Sequence, residues 1–168
     1  PEDYQTILEV LQNRFSKDQI FSTAKRDYYH NDNFKISFTA KELDEIDCVL
    51  LFLGENAYAE SPGNIDDLTL EKEQLELAKK AISLGKKIIL VLLEGRPRII
   101  NEISSNMDAI LMGFLPGSMG AEAIVDVLFG DYNPSGILPF TYPAKTGDLI
   151  TYDHKFLSEM IQTAPNKK

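Results

Sequence analysis

The side chains best suited to acid–base chemistry gather in one long segment, residues 54–69. Four carboxylates and one tyrosine fall within it, and positioned carboxyl groups are common proton donors and acceptors in enzymes. Asp66 and Asp67 lie near the start of the next predicted helix, where we expect capping rather than catalysis. By composition alone, the favoured interpretation of the segment is a solvated acidic loop with Asx-type turns. The side chains that remain as candidates for function are Glu55, Tyr58 and Glu60.

Other reactive residues have simpler interpretations. Arg96 could clamp a carboxylate of the acidic loop or of a substrate, and a structural ion pair is favoured. Cys48 begins an apolar run and is expected to be a core thiol rather than a nucleophile. His30 and His154 are far apart and are expected on the surface. With one cysteine, an internal disulfide and a cysteine-rich zinc site are excluded, and we expect no metal and no cofactor.

The elements that must position these side chains alternate between strand and helix. Continuous apolar runs predict buried strands of a parallel sheet, and apolar residues at helical spacing predict helices between them. The predicted strands cover residues 48–53, 88–93 and 108–114. The predicted helices cover residues 4–15, 39–46, 75–85, 97–103 and 121–128, of which the second opens with a capping box at Thr39 to Glu42. Short extended segments are predicted at residues 20–23 and 137–142.

This alternation is typical of an α/β fold. We predict a doubly wound, mostly parallel sheet with helices on both faces, a three-layer α/β/α sandwich that forms a single domain over residues 1–168. In such sheets ligands bind outside the carboxyl ends of the strands. The loops that follow the predicted strands are therefore where a site is expected, namely residues 54–69, 94–97 and 115–118.

Composition narrows the class of protein. The 168 residues include 17 Lys and Arg against 26 Asp and Glu, a formal net charge of −9, so a nucleic-acid-binding face is disfavoured. The apolar runs are far shorter than the roughly 20 residues that cross a bilayer, so no membrane span is expected. The cellular compartment stays open. Because the chain begins at Pro1 without a methionine, we expect a piece or a processed product of a longer protein.

Five short motifs occur in a fixed order between residues 47 and 148. They are Gly54-Glu55-Asn56-Ala57-Tyr58-Ala59-Glu60-Ser61-Pro62-Gly63-Asn64, Asp67-Leu68-Thr69-Leu70, Gly95-Arg96-Pro97, Leu115-Pro116-Gly117-Ser118, and the run from Asp126 to Pro139. In this order and spacing they resemble the C-terminal domain of the family 3 glycoside hydrolases. Residues 1–46 match the pattern only loosely.

The resemblance implies a two-domain enzyme whose active site lies between an N-terminal (β/α)₈-type barrel and a C-terminal α/β sandwich. Family members are mostly exo-acting β-glucosidases, with β-xylosidases among them. The implied function is therefore that of a retaining β-glycosidase that hydrolyses terminal non-reducing β-D-glucosyl residues, with a carbohydrate substrate. Residues 1–168 would be the incomplete C-terminal domain, whose barrel lies outside the chain and supplies the aspartate nucleophile.

The resemblance also implies roles for individual residues. By its position in the motif, Glu60 is the general acid/base. A retaining glycosidase needs two carboxyl groups about 5–5.5 Å apart, and the acid needs a raised pKa. Glu60 is therefore expected to become a competent acid only when a barrel closes over it. Glu55 is the second choice and is expected to be structural, while Tyr58 and Glu55 are the candidates for contact with the sugar.

Two alternatives stay open. The first is a non-catalytic α/β binding or interaction module that retains the family fold. The second places both catalytic carboxylates in one loop, at Glu55 and Glu60, and is disfavoured because flexible neighbours hold two carboxylates poorly in a fixed frame. The chain also opens at the first helix, without the strand that usually precedes it in the family. We expect the isolated chain to be inactive.

If an N-terminal barrel normally covers one face of this domain, that face is a surface for binding a partner. The face that carries residues 54–69 and 115–119 should expose apolar side chains, because the second domain would cover them. The barrel of the same enzyme is the expected partner, and a homodimer through this face is a second way of covering it. The side chains expected to be exposed are Tyr58, Phe114, Leu115 and Met119.

Overall fold

The computed structural model describes residues 4–22 and 38–148, and every structural statement below refers to these residues. They contain one parallel three-stranded sheet in the order β1-β2-β3. Its strands are β1 (Cys48–Gly54), β2 (Lys87–Leu93) and β3 (Ala109–Met112). Gly54 lies opposite Leu93, so β1 and β2 end at the same level. All three carboxyl ends therefore lie at one edge of the sheet.

Helices separate the strands along the chain. They are α1 (Ile7–Arg14), α2 (Ala40–Glu45), α3 (Lys72–Ser83), α4 (Asn101–Ser104) and α5 (Gly120–Phe129), with 3₁₀ turns at Lys17–Gln19 and Ser61–Gly63. None of these described helices combines the length and the apolar character that crossing a membrane requires.

The two faces of the sheet are covered by different helices. Side chains alternate along β2, so Leu90 and Val91 point to opposite faces. Leu90 packs into a core cluster with buried residues of α3 and α4. On the other face, Leu93 of β2 and Ile124 of α5 both border Gly113, and α1 packs against α5. The predicted α/β sandwich with helices on both faces is confirmed.

One buried amide fastens α3 to the carboxyl end of β1. The Gly54 N–H donates to Gln74 Oε1 at 2.8 Å, and Gln74 Nε2 donates to the Gly54 carbonyl, also at 2.8 Å. Gln74 is only 7% exposed. Its amide satisfies both backbone groups on the edge of β1 that faces away from β2, as a neighbouring strand would do.

Local signals that need no tertiary partner were predicted correctly. The capping box at the start of α2 is present, because Thr39 Oγ1 accepts from the Glu42 N–H and the Glu42 carboxylate accepts from the Thr39 N–H. At the end of α3, Gly85 has φ +65°, a left-handed conformation that glycine adopts without steric penalty.

The helix predicted from Pro97 begins only at Asn101, and the prediction was wrong at this boundary. The Ile99 N–H donates to the Leu68 carbonyl at 2.8 Å, and Ile99 forms a parallel bridge with Thr69. This pairing keeps the chain extended before α4. It joins the end of the long acidic loop to the segment after β2.

Two predicted extended segments form no strand in the described residues. Of the segment predicted at residues 20–23, residue 23 lies outside the described residues, and residues 20–22 follow the 3₁₀ turn without a ladder partner among the described strands. Residues 137–142 are also irregular. Ile137 is 92% exposed, and the segment is held instead through the hydroxyl of Tyr142.

Burial also differs from the prediction at the outer strands. Only β2, the central strand, is buried along most of its length, because β1 and β3 each have one neighbour in the described sheet. Cys48, at the first position of β1, is exposed and is not a core thiol. The predictions for His30 and His154 lie outside the described residues.

Candidate active site

Three loops meet at the carboxyl edge of the sheet, as predicted. They follow β1, β2 and β3, and they come together around Gly95. A Cβ atom at this position would lie 2.5 Å from Tyr58 Oη and 3.2 Å from Leu115 Cδ1. Glycine is therefore required where side chains from the loops after β1 and β3 close over the loop after β2.

Glu55 joins the first two loops. Its side chain is 3% exposed. Its Oε2 accepts from the N–H groups of Gly95 at 3.0 Å and Arg96 at 2.9 Å, and its Oε1 accepts from Arg96 Nε at 2.7 Å. Burial alone would raise the pKa of Glu55, but the hydrogen bonds and the charge of Arg96 outweigh burial and lower it. A carboxylate held ionised in this way braces the loops and is poorly suited to donate a proton.

Arg96 extends this brace into the long loop. Its guanidinium also donates to the Gly63 carbonyl and lies 3.9 Å from the centre of the Tyr58 ring. The expected structural ion pair with the acidic loop is confirmed, with Glu55 as its partner. Tyr58 is held between this cation and the backbone of Gly63, and it remains 41% exposed. The ring is thus fixed in place and still accessible from outside.

Glu60 lies at the tip of the braced loop. Its backbone has φ +50° and ψ −148°, a region that residues with a side chain rarely occupy. Its carbonyl accepts from the Gly63 N–H at 2.9 Å, which opens the 3₁₀ turn. Glu60 is exposed, and its carboxylate forms no hydrogen bond or ion pair within the described residues. The structure therefore holds the backbone of Glu60 and leaves its carboxylate available.

The prediction that Asp66 and Asp67 cap the following helix was wrong. Helix α3 begins at Lys72, and its N-cap residue makes no side-chain capping bond. Asp67 Oδ1 instead accepts from the N–H and hydroxyl of Thr69, at 2.8 and 2.6 Å, and from Thr146 Oγ1 at 3.0 Å. This Asx turn closes the long loop and attaches it to the segment after α5.

A further carboxyl group at this edge, that of Glu94, was not singled out from the sequence. Glu94 follows β2 directly and is 0% exposed. Its Oε1 lies 2.6 Å from Tyr142 Oη and accepts from the Arg98 N–H at 3.2 Å, while its Oε2 has no partner among the described residues. Burial raises the pKa of Glu94, and the charge of nearby Glu55 adds to the effect, while the hydrogen bonds and the charge of Arg98 oppose it. The only signal in the sequence is a glutamate placed directly after a buried strand.

The apolar face expected around these loops is present. The exposed fractions are 41% for Tyr58, 37% for Phe114, 67% for Leu115 and 65% for Met119. Phe114, two residues beyond the end of β3, has φ +53°. The two described non-glycine residues with positive φ, Phe114 and Glu60, thus both lie in loops at the carboxyl edge of the sheet.

The comparison with protein families agrees with the motifs. A model of the glycosyl hydrolase family 3 C-terminal domain matches residues 1–167. The chain belongs to this family. Its motifs and its fold are therefore those of a family 3 C-terminal domain.

Individual relatives are glycosidases. The chain is 40% identical over 119 residues to the lysosomal β-glucosidase of Dictyostelium discoideum, covering 70% of this chain and 14% of that enzyme. It is 31% identical over 157 residues to a β-xylosidase of Formosa agariphila, covering 90% of this chain and 21% of that enzyme. A crystal structure of a Listeria innocua β-glucosidase in complex with glucose matches with a TM-score of 0.58 and 31% identity, covering 66% of this chain and 16% of that one. The chain thus spans a small fraction of the length of each relative.

Proposed function

We propose that this chain is the acid/base-bearing part of a retaining, exo-acting β-glycosidase of the β-glucosidase type. The substrate would be a β-glucoside or a β-linked oligosaccharide with a terminal non-reducing glucosyl residue. Membership of the glycosyl hydrolase family 3 and the β-glucosidases among its relatives support this class of substrate. An N-terminal barrel of the same protein would supply the aspartate nucleophile.

The observation that carries the proposal is the state of Glu60. Backbone strain of this kind costs about 1–3 kcal/mol and is concentrated at functional sites. Here the strained backbone, with φ +50°, belongs to Glu60, whose carboxylate is exposed. Glu60 lies at the tip of a loop that Arg96 and Glu55 hold in place. A solvated acidic loop without function has no need of this geometry.

To act as the general acid, Glu60 needs burial and a second carboxyl group nearby, and the described part of this domain supplies neither to it. In a retaining mechanism one carboxyl group protonates the leaving oxygen and later deprotonates water, while the other attacks the anomeric carbon. When a barrel covers the loop, loss of water and the charge of the nucleophile both raise the pKa of a carboxyl group. Glu60 would then hold the proton that a general acid must donate. Tyr58, fixed by Arg96, would line the sugar site beside it.

Glu60→Gln in the full-length protein tests the role. We expect kcat/KM on a β-glucoside with a poor leaving group to fall by about 10²–10⁴-fold, the usual contribution of general acid–base catalysis. An activated aryl β-glucoside needs less protonation and should lose less in its first step. Added azide should restore turnover and give the β-glucosyl azide, because an anionic nucleophile needs no general base.

Glu55→Gln is the matched control. Glu55 lies in the same loop but is buried in the brace, so its loss should lower stability without rescue by azide. Rescue of Glu55→Gln, or an unchanged basic limb of the pH–rate profile in Glu60→Gln, would contradict the assignment. An aryl β-xyloside, assayed in parallel, decides between the glucosidase and xylosidase types of relative.

A further inference from the structure

The contacts around Glu94 require more hydrogen atoms than an ionised carboxylate leaves available. Tyr142 Oη lies 2.6 Å from Glu94 Oε1 and 2.7 Å from the Arg98 carbonyl oxygen, and the Arg98 N–H points to Glu94 Oε1 at 3.2 Å. If Glu94 is ionised, the Tyr142 hydroxyl has a single hydrogen for two acceptors. If Glu94 is a carboxylic acid, it donates to Tyr142 Oη, and Tyr142 donates to the Arg98 carbonyl. The neutral acid therefore satisfies every contact.

Two charges face Glu94 and act in opposite directions: that of Glu55 raises the pKa of Glu94 and that of Arg98 lowers it, and burial is the largest effect and raises it. Arg98 makes its ion pair with Glu55, at 3.6 Å, and directs Nη2 to the Thr69 carbonyl at 2.7 Å. Glu55, after β1, presents a second carboxylate to Glu94, and Tyr142 presents a hydroxyl. Glu94 Oε2 is buried without a partner among the described residues, and a buried charged oxygen without a hydrogen bond is costly.

Glu94 is connected to the Glu60 loop through its neighbours in the chain. The residues that follow it, Gly95 and Arg96, hold Glu55 through their N–H groups, and Arg96 also holds Tyr58 and the Gly63 carbonyl. On its other side, Glu94 is fixed by Tyr142. A change in the hydrogen bonds of Glu94 is thus transmitted to the backbone that carries the brace.

We propose that Glu94 is a positioning residue that acts as a neutral hydrogen-bond donor to Tyr142 and so fixes the loop that carries Glu60. Its effect on catalysis rests on the proposed function of Glu60. Its protonation state is a separate statement about this chain. The raised pKa that burial gives Glu94 agrees with the hydrogen count.

The protonation state is tested by infrared difference spectroscopy of the full-length protein at neutral pH. We expect a protonated carboxyl C=O stretch in the wild type that disappears in Glu94→Gln. Tyr142→Phe removes only the acceptor hydroxyl and should shift the same band to higher frequency. If the wild type and Glu94→Gln show no difference in this region, Glu94 is ionised and the proposal is overturned.

Kinetics test the positioning role. Glu94→Ala should lower kcat about 10²-fold with little change in KM, because a small misplacement of a catalytic group has an effect of this order. Glu94→Gln, which keeps a neutral donor, should recover most of this loss. Equal losses in both variants, or a loss confined to KM, would overturn the role. If Glu94→Ala does not fold, Tyr142→Phe serves in its place, and an unchanged kcat in that variant would overturn the role.

The two proposals fail in different ways. If the infrared band is present but Glu60→Gln keeps full activity, the function proposed for Glu60 is wrong and the neutral state of Glu94 stands. If Glu60→Gln is inactive and rescued by azide while the band is absent, the function stands and the inference about Glu94 fails.

Discussion

Glu60 has a backbone conformation that suits glycine in a position where the proposed chemistry needs a carboxyl group. With φ +50°, its Cβ is strained against the neighbouring peptide, and the 3₁₀ turn after it holds the conformation in place. The structure therefore predicts opposite effects of one substitution on stability and on activity.

Glu60→Gly should raise the free energy of unfolding by about 1 kcal/mol, because relief of strain exceeds the added entropy of the unfolded chain. The same variant should be inactive in the full-length protein. Chemical denaturation measures the first effect. Glu60→Gln keeps the strain and should leave stability unchanged, and a Glu60→Gly variant less stable than Glu60→Gln would show that the backbone there is relaxed.

Glu55 gives a prediction about pH. Its pKa is lowered in the folded protein, so the folded state binds its proton more weakly than the unfolded state does. The stabilisation is fully present above the unfolded pKa of about 4.3 and is lost as the pH falls through the folded value. Glu55→Gln should therefore lower the free energy of unfolding by about 2 kcal/mol at neutral pH, the range for hydrogen bonds to charged groups.

Thermal melts of the wild type and Glu55→Gln over a pH series measure this difference. The difference in Tm should shrink below pH ~4. Glu60→Gln is again the control, since its carboxylate has no partner in the described residues. A difference that stays constant with pH would show that packing and not charge gives Glu55 its role.

Some residues of the candidate site could be predicted from the sequence and Glu94 could not, for physical reasons. Glu55, Tyr58 and Glu60 follow a strand within a long loop, so their position at the edge of the sheet could be predicted from local pattern. Glu94 could not be separated from an ordinary charged loop residue, because the hydroxyl it contacts belongs to Tyr142, 48 positions later in the chain. A hydrogen bond over such a distance leaves no periodic signal.

At the scale of elements, the side chain of Gln74 links α3 to the carboxyl end of β1 by two hydrogen bonds, in addition to the apolar packing of α3 on the sheet. Gln74→Leu keeps the size and helical character of the residue but leaves the N–H and carbonyl of Gly54 without partners. Because both groups are partly buried, we expect the free energy of unfolding to fall by about 2–3 kcal/mol. The midpoint of urea unfolding measures the change.

Glu76→Leu is the matched control on the same helix. Glu76 is exposed, so its substitution should change the free energy of unfolding by less than about 0.5 kcal/mol. Similar effects of the two variants would mean that water replaces the amide of Gln74 and that the attachment adds little.

The long elements with a clear apolar pattern were predicted correctly. A helix start that depends on a contact with a distant segment was not. β2, α3 and α5 are long, apolar and periodic, and their positions agree with the sequence within a few residues. Helix α4 was predicted to start at Pro97 but starts at Asn101, because Ile99 pairs with the end of the acidic loop. The residues around Pro97 contain no local pattern that predicts this pairing, because its partner lies about 30 positions earlier in the chain.

At the scale of the whole molecule, the apolar face at the carboxyl edge predicts dependence on a second domain. Leu115 is 67% exposed in this chain, so Leu115→Lys should change the stability of the isolated chain little. In the full-length protein the same change should cost about 2 kcal/mol, the value of burying a leucine side chain. Thermal melts of both proteins measure the contrast.

Ile137→Lys is the control for this contrast. Ile137 is also apolar and exposed, at 92%, but it lies outside the loops at the carboxyl edge. Sedimentation of the isolated chain tests the homodimer, which Leu115→Lys should dissociate and Ile137→Lys should not. Equal effects of Leu115→Lys on the isolated chain and the full-length protein would show that no second domain covers this face.

The contact between Glu94 and Tyr142 also bears on the order of events during synthesis. Residue 94 leaves the ribosome 48 residues before residue 142, so β2 and its glutamate are synthesised before the hydroxyl that the glutamate contacts. If Glu94 is neutral in the folded domain, as proposed above, a glutamate ionised in the growing polypeptide has to take up a proton when the later segment docks. On that proposal, completion of the carboxyl edge consumes a proton, and its rate should depend on the acidity of the compartment in which the chain folds.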